Sequence, residues 1–262
     1  RENSANYARE ILVNVRKAAR AVYTPRQVSE WFTLGKRFSR KHRREYEASV
    51  SKRHTELREL DALAYVTTAL GFLTTPPGPR GSIAPLIAGL VMVSGRRVGE
   101  LVFTGKFRAS KRPFHVQFTG QLKTRDAPGT RRRLTIPLLL KPEIFLAVAP
   151  VAIDADSKTV RQATQRIASS LNTTVKQRMG EDWHPHLFRA AYAAIAYELF
   201  APERMTDTAY FSRILGHTSL TPNAETPDLH TAQSYERFRV TNLKEAASFL
   251  RSQETEKSGI IG

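Results

Sequence analysis

The spacing of apolar residues changes twice along this chain, and that change limits its fold more than any other feature. In Tyr7–Tyr23 apolar residues recur at steps of three and four, which predicts an amphipathic helix. In the centre, His115–Thr119 and Arg133–Pro137 are β-rich and flank glycine and proline, which predicts a small antiparallel hairpin or sheet. Val160–Met179 and Phe188–Phe200 are again long and nearly free of glycine. The sequence therefore predicts a mainly α fold with a small antiparallel β-sheet, in the α+β class.

Segments of different composition suggest where the domains lie. The first has two helices, the second starting at Pro25 after a Thr24 cap, and we expect it to be the end of a larger helical domain. The next is rich in lysine and arginine with little glycine or proline, which predicts one long basic linker helix. The predicted boundaries are residues 1–35 for the helical segment, 36–55 for the linker, 56–251 for the second domain and 252–262 for a tail.

Patterning within the second domain predicts several elements besides the central hairpin. Glu56–Leu73 has helical spacing, whereas the prolines and glycines of Thr74–Ser82 predict a loop. Ile83–Val93 is an apolar run that predicts a buried helix. Asn242–Arg251 predicts a short amphipathic helix near the end.

The charge of the chain limits its partners. Its 262 residues include 41 Lys plus Arg against 24 Asp plus Glu, a formal net charge of +17. Such an excess favours a polyanionic partner, nucleic acid or an anionic membrane surface. The longest apolar run contains Pro85 and is shorter than the roughly 18 residues that cross a bilayer. With no signal peptide visible, we expect a cytoplasmic, nucleic-acid-binding protein without membrane contact.

The absence of cysteine and the spacing of the histidines exclude several kinds of site, whereas the linker arginines allow two interpretations. The chain has no cysteine, which excludes disulfides, thiol nucleophiles and cysteine-based zinc sites. His184 and His186 lack a metal-ligand spacing, so we expect no metal and no cofactor. In the linker, Arg40, Arg43 and Arg44 lie either on a solvated face or along DNA phosphates, and the sequence favours neither strongly.

Five short motifs supply the parts of a metal-free phosphodiester cleavage. Such a reaction needs cations around the non-bridging oxygens, an in-line nucleophile and an acid for the leaving 5′ oxygen. Arginine suits the first task because its planar fork pairs bidentately with phosphate. Each motif alone also fits an ordinary role, such as a surface arginine pair, a solvated turn lysine or a partly buried histidine. In chain order they are Ser94–Leu101, Gly120–Arg125, His186–Arg189, Ile214–His217 and Ser234–Phe238.

In this order the motifs resemble the active site of the tyrosine recombinases. In that family an arginine motif, a hairpin lysine, H-x-x-R, L-G-H and a terminal tyrosine follow one another. More specifically, the chain resembles the telomere resolvases, or protelomerases. The residues that carry this second resemblance are Ser94–Arg97, Phe103-Thr104, Gly120–Thr124, Phe200–Pro202, Thr206, Tyr210-Phe211, Ile214–His217 and Gln233–Tyr235. The resemblance implies a tyrosine recombinase-like catalytic domain preceded by helices of a truncated core-binding domain.

The resemblance also implies a phosphate clamp. Arg97 and Arg189 would hold the scissile phosphate, and His217 would donate a third hydrogen bond. The alignment of Val98–Leu101 with the family motif selects Arg97 rather than its neighbour Arg96.

The remaining implied roles concern proton transfer and attack. Tyr235 would be the nucleophile, Lys123 would protonate the leaving 5′ oxygen, and His186 would carry a proton. Arg125 would contact DNA beside the lysine, and Glu100 would be a structural partner of a buried arginine.

One departure from the family concerns the distance to the nucleophile. Tyr235 follows His217 by 18 positions, which is longer than in ordinary tyrosine recombinases. We interpret Pro222–Asp228 as a loop inserted before a helix that carries the tyrosine, since a loop can be lengthened at small entropic cost.

The resemblance implies a reaction and a partner. A homodimer on double-stranded DNA with an inverted repeat would cleave both strands through a 3′-phosphotyrosine and rejoin each strand as a hairpin end. A phage-type site-specific recombinase or integrase, with the same residues, is the alternative. A DNA-binding protein without catalysis is a further alternative, which the complete set of motifs disfavours. The protein would work at the nucleoid of a bacterial or phage-infected cell.

Overall fold

A computed structural model describes the chain in several stretches. The described residues are 5–31, 57–76, 82–122, 133–221, 224–227 and 232–253, with Arg44 and Ala48 between the first two stretches. The chain divides into two compact units, Arg1–Glu56 and Leu57–Gly262. Within the described residues, no helix is both long enough and apolar enough to span a bilayer.

The first unit contains two described helices, α1 (Ala5–Ala19) and α2 (Pro25–Trp31). The Thr24 hydroxyl accepts from Gln27 N at 3.4 Å, and Gln27 Oε1 accepts from Thr24 N at 3.0 Å. This reciprocal pair satisfies two free donors at the start of α2, as the sequence predicted for Thr24. Arg44 is helical and exposed, whereas the rest of the predicted linker helix, Arg40 and Arg43 included, lies outside the described residues apart from Ala48.

The second unit is built around the buried helix α4 (Ala84–Ser94). It packs against α3 (Ala62–Leu73) and α7 (Pro185–Phe200), and α3 is tied to α7 by the Tyr65 hydroxyl, which donates to Phe188 O at 3.0 Å. The predicted burial of α4 is confirmed, because nine of its residues are buried. The other helices are α5 (Pro142–Val148), α6 (Val160–Met179), α8 (Asp207–Leu215) and α9 (Leu243–Ser252), with a π-helical turn at Glu100–Thr104 and a 3₁₀ turn at Ala149–Ala152.

The central sheet is antiparallel in the order β2 (Lys106–Ala109), β3 (His115–Thr119), β4 (Leu134–Pro137). Val116 and Phe118 point into the core with no exposed surface, while Gln117 between them is half-buried. That alternation is the period-two pattern that predicted strands here. The third strand, β2, was not predicted, because two of its four residues are basic.

Two further strand pairs correct the expectations. The predicted helix from Glu56 is wrong at its start, because β1 (Arg58–Asp61) pairs in parallel with β7 (Phe238–Thr241) before α3 begins. The Asp61 carboxylate caps α3 by accepting from Ala64 N at 2.9 Å. The described part of the expected inserted loop is instead a strand, β6 (Ala224–Pro227), which pairs antiparallel with β5 (Thr218–Thr221). The prediction that a helix carries Tyr235 is also wrong, because Tyr235 lies in a turn.

Candidate active site

The end of α4 sends two adjacent arginines in different directions. Gly95 ends the helix in the left-handed conformation (φ 61°), and a Cβ there would lie 2.2 Å from the Tyr192 ring. Beyond this turn, Arg96 is fully buried and its guanidinium donates to Ile214 O and lies 5.0 Å from the Phe118 ring centroid. The Arg97 side chain keeps 21% of its surface exposed. Only Arg97 is therefore able to face a ligand.

Glu100 is a buried carboxylate that orients Arg97. It accepts from Arg97 Nη1 at 2.8 Å, from Arg97 N at 3.1 Å and from Leu122 N at 3.1 Å. Arg96 Nη1 lies 3.9 Å from Glu100 Oε2. Burial alone would raise the pKa of Glu100, but Arg96, Arg189 and Arg97 together hold that pKa below its ordinary value. The ionised carboxylate thus fixes the arginine, as expected of a structural partner.

His217 follows a glycine at the end of α8. Gly216 adopts φ 72°, and the backbone then folds back so that His217 N donates to Ser212 O at 2.7 Å. The Ser212 hydroxyl donates in turn to His217 O at 2.7 Å. These bonds direct the imidazole toward the site, where His217 Nε2 lies 3.4 Å from Arg97 Nη2.

The start of α7 presents His186 and Arg189 on one face. His184 caps the helix because its Nδ1 accepts from Leu187 N at 3.2 Å, and Pro185 occupies the first turn. Arg189 is 2% exposed, and its Nη1 donates to Gly95 O. Its Nε and Nη2 are buried and have no hydrogen-bond partner among the described residues. Two free donors of a buried arginine are what a phosphate oxygen pair would accept from.

Tyr235 lies against these groups. Its ring centroid is 5.1 Å from that of His217 and 5.6 Å from that of His186, and the Arg189 guanidinium carbon lies 5.8 Å from it. The residue after it, Glu236, accepts from the Thr208 hydroxyl at 2.6 Å. The structure therefore brings four predicted residues together around Tyr235: Arg97, His186, Arg189 and His217.

Two predicted residues cannot be placed in this cluster. Lys123 and Arg125 lie outside the described residues, which stop at Leu122 on this side of the hairpin. Leu122 itself is at the site, since Arg97 Nη1 donates to its carbonyl at 3.1 Å. The roles assigned to Lys123 and Arg125 stay predictions.

Sequence reasoning included Gln121 in the hairpin motif but assigned no role to it. The Gln121 side chain contacts the end of α8, where its amide donates to Gly216 O. A polar residue just outside a strand carries no signal that would separate it from an ordinary turn residue, so only the fold reveals the contact.

The pKa values of three histidines predict how the stability of the protein depends on pH. Burial lowers the pKa of His115 and His184, and burial together with Arg189 lowers the pKa of His186 to about 4. Unfolded histidines take up protons below their ordinary pKa, whereas the folded ones resist, so stability should fall as pH drops from about 7.5 to about 5. The urea midpoint should decrease over that range, but only modestly, because His184 and His186 are exposed to solvent.

A matched variant tests the origin of that pH dependence. His184→Asn keeps a side-chain oxygen for the helix cap and removes one titrating group, so the midpoint should change less with pH than in the unaltered protein. Identical midpoints at both pH values in the unaltered protein would contradict the prediction.

Comparison with known proteins identifies the family. A family model described as "Telomere resolvase ResT/TelK catalytic domain" matches residues 56–238, more than half of the chain. The chain belongs to this family. Among curated relatives, the protelomerase of Escherichia phage N15 is 29% identical over 212 residues, covering 70% of this chain and 32% of that protein. Telomere resolvase ResT of Borreliella burgdorferi is 24% identical over 167 residues, covering 61% and 35%. The chain thus spans about a third of the length of these telomere resolvases.

Solved structures show the same fold. Protelomerase TelA covalently complexed with substrate DNA superposes with a TM-score of 0.72 at 22% identity, covering 94% of this chain and 80% of that one. Protelomerase TelK complexed with substrate DNA gives 0.65 at 23% identity, covering 82% and 44%. The predicted telomere resolvase family and the mainly α fold with a small sheet are confirmed.

Proposed function

We propose that this chain is the catalytic part of a telomere resolvase that cleaves DNA through a 3′-phosphotyrosine and rejoins the strands as hairpin ends. The observation that carries the proposal is the position of Tyr235 beside a buried arginine, Arg189, two of whose donors have no partner among the described residues. Arg97 and His217 complete a cationic, hydrogen-bonding surface around that point. The names of the relatives and the DNA complexes of the structural neighbours agree with this reaction.

The proposed reaction exchanges one phosphodiester for another. The Tyr235 oxygen attacks the scissile phosphorus, and the bond to the 5′ oxygen breaks. Arg97, Arg189 and His217 stabilise the charge that develops on the non-bridging oxygens. Lys123 donates the proton that the 5′ oxygen needs to leave.

We assign the phenol proton to His186, because its ring centroid lies 5.6 Å from that of Tyr235. Burial and its cationic neighbours, Arg189 first among them, lower the pKa of His186 to about 4, so the ring is neutral near neutral pH. The reverse sequence, with a 5′ hydroxyl as nucleophile, releases Tyr235. No nucleotide cofactor is required, because the phosphotyrosine retains the energy of the original bond.

Hairpin formation requires two active sites, which determines the assembly that we propose. Each 3′-phosphate must be attacked by the 5′ hydroxyl of the opposite strand on the same side of the break, so both strands must be cut. A homodimer on an inverted repeat supplies two equivalent sites related by two-fold symmetry. Such an enzyme would act at the nucleoid.

The target sequence is unknown, so the reaction is best identified from the products formed from a library of DNA sites. The protein would be incubated in EDTA with linear duplexes carrying a randomised inverted repeat, and products that renature immediately after denaturation would be recovered and sequenced. Covalently closed hairpin ends support the proposal, because the two strands of a hairpin cannot separate. Recombinant joints between two duplexes would instead indicate a phage-type recombinase. No cleavage of any library member would contradict the proposed function.

The basic linker predicts a salt dependence. If Arg40, Arg43 and Arg44 each contact a phosphate, neutralising all three to glutamine should lower the slope of log affinity against log salt by up to about 2.7, since each contact releases about 0.9 counterion. The slope is measured by fluorescence anisotropy with a labelled duplex.

A control triple separates linker contacts from net charge. The control neutralises exposed basic residues of the second unit, namely Arg204, Lys244 and Arg251. An unchanged slope in the linker variant, or an equal change in both, would mean that the linker arginines form a solvated face.

A further inference from the structure

The last carbonyl groups of α8 are held by side chains from two other parts of the fold. A helix leaves its final carbonyls without partners inside the helix, and here these groups belong to the turn that precedes His217. Arg96, from the end of α4, donates to Ile214 O. Gln121, from the end of β3, donates to Gly216 O, which belongs to the peptide that joins Gly216 to His217. The second contact therefore fixes the peptide plane from which the imidazole projects.

Gln121 is itself held on both sides. The Thr104 hydroxyl donates to Gly120 O, and a Cβ on Gly120 (φ 93°) would lie 1.9 Å from Thr104 O. After Gln121, the Leu122 backbone donates to Glu100 at 3.1 Å and accepts from Arg97 at 3.1 Å. The backbone on either side of Gln121 is therefore anchored, and its side chain approaches α8 from a preorganised position.

The contact between Gln121 and Gly216 O requires a glycine at position 216. A Cβ at Gly216 would lie 2.2 Å from Gln121 Nε2, in addition to the strain that φ 72° imposes on other residues. The glycine thus serves both the helix end and the approach of the amide. The other end of the same amide, Gln121 Oε1, is buried without a hydrogen-bond partner among the described residues. An unpaired buried oxygen lowers stability, so stability alone does not account for a glutamine here.

We propose that Gln121 is a positioning residue for His217, holding the imidazole against Arg97 through the Gly216 carbonyl. This inference rests on the proposed function, because it assigns His217 to the scissile phosphate. His217 Nε2 lies 3.4 Å from Arg97 Nη2, and the His217 ring centroid lies 5.1 Å from that of Tyr235, so the imidazole is next to both the arginine and the proposed nucleophile. A shift of the Gly216 peptide would move the imidazole away from both groups, while Glu100 would still hold Arg97.

A double-mutant cycle tests whether Gln121 acts through His217. The rate of covalent adduct formation is measured in single turnover for the unaltered protein, Gln121→Met, His217→Ala and the double variant. Gln121→Met should slow the reaction about 10- to 100-fold, as small misplacements of reacting groups do. In the His217→Ala background the same change should alter the rate by less than about twofold, because the group it positions is already absent.

The outcomes separate positioning from general damage. Equal slowing by Gln121→Met in both backgrounds, or no slowing in either, overturns the inference. Rescue of Gln121→Met by a substrate with sulfur in place of the 5′ oxygen also overturns it, since that result would place the defect at leaving-group protonation. The control is Gln117→Met, the same substitution at a half-buried position within β3, which should leave the rate unaltered.

Two further measures keep the test decisive. If Gln121→Met does not fold, as judged by its thermal unfolding, Gln121→Glu repeats the cycle, because an ionised carboxylate has the same size and no donor for Gly216 O. If the unaltered protein forms no adduct, the proposed function fails. If the unaltered protein forms the adduct but the effects of Gln121→Met and His217→Ala are additive, only the proposed role of Gln121 is contradicted.

Discussion

Tyr235→Phe is expected to abolish the covalent protein–DNA adduct while leaving DNA affinity within about twofold of the unaltered protein. The change removes only the phenolic oxygen, the proposed nucleophile. The ring remains to pack against His217 and His186, whose centroids lie 5.1 and 5.6 Å away, so the fold of the site should survive. Adduct is measured as an SDS-stable band with labelled DNA, and affinity by gel shift.

A second tyrosine provides the control. Tyr197→Phe also removes a phenolic oxygen, but that hydroxyl lies away from the cluster and donates to Met205 O at 3.2 Å. The Tyr197→Phe variant should therefore form the adduct normally. An SDS-stable band from Tyr235→Phe would show that another residue is the nucleophile. Loss of the band in both variants would point to unfolding instead.

Arg189→Lys should reduce the rate of adduct formation about 10²- to 10³-fold, nearly as much as Arg189→Ala. Lysine keeps the charge but lacks the planar fork, in which Nη1 holds Gly95 O while Nε and Nη2 have no partner in the part of the chain that the structure describes and can bind phosphate. A single ammonium cannot serve the backbone and two phosphate oxygens at once. The rate is measured in single turnover at saturating protein, which separates the chemical step from binding.

Arg204→Lys, at an exposed position, is the matched control and should have no effect. A sulfur leaving group should not restore either Arg189 variant, because the arginine acts on the non-bridging oxygens, whereas it should restore Lys123→Ala. Near-normal rates in Arg189→Lys would mean that charge alone suffices and that the free donors do not bind phosphate.

Local patterns account for the parts of the fold that were predicted correctly. Val160–Met179 was predicted with the boundaries that α6 has, since a long segment without glycine or proline leaves few alternatives to a helix. His115–Thr119 was predicted as a strand because Val116 and Phe118 alternate with polar residues. The motifs around Arg97 and Arg189 were found because the residues of each motif lie close together in the sequence.

Contacts between distant residues account for what was missed. β1 has the sequence Arg-Glu-Leu-Asp, which has little preference for a strand, and it becomes one by pairing with β7 about 180 residues later. The complete burial of Arg96 is equally invisible in the sequence, because its partners, Ile214 O and the Phe118 ring, come from distant parts of the chain. Short-range periodicity carries no information about either.

The pairing of β1 with β7 bears on which subunit supplies the nucleophile. Arg58 N donates to Arg237 O at 2.9 Å, and the pairing continues from Arg58 opposite Phe238 to Asp61 opposite Thr241. The segment just after Tyr235 is thereby secured to the first strand of its own catalytic unit. In the proposed homodimer each subunit would then complete its site in cis, with no exchange of the tyrosine between protomers. In a mixed dimer of active and Tyr235→Phe subunits, one strand would be cut and the other left intact.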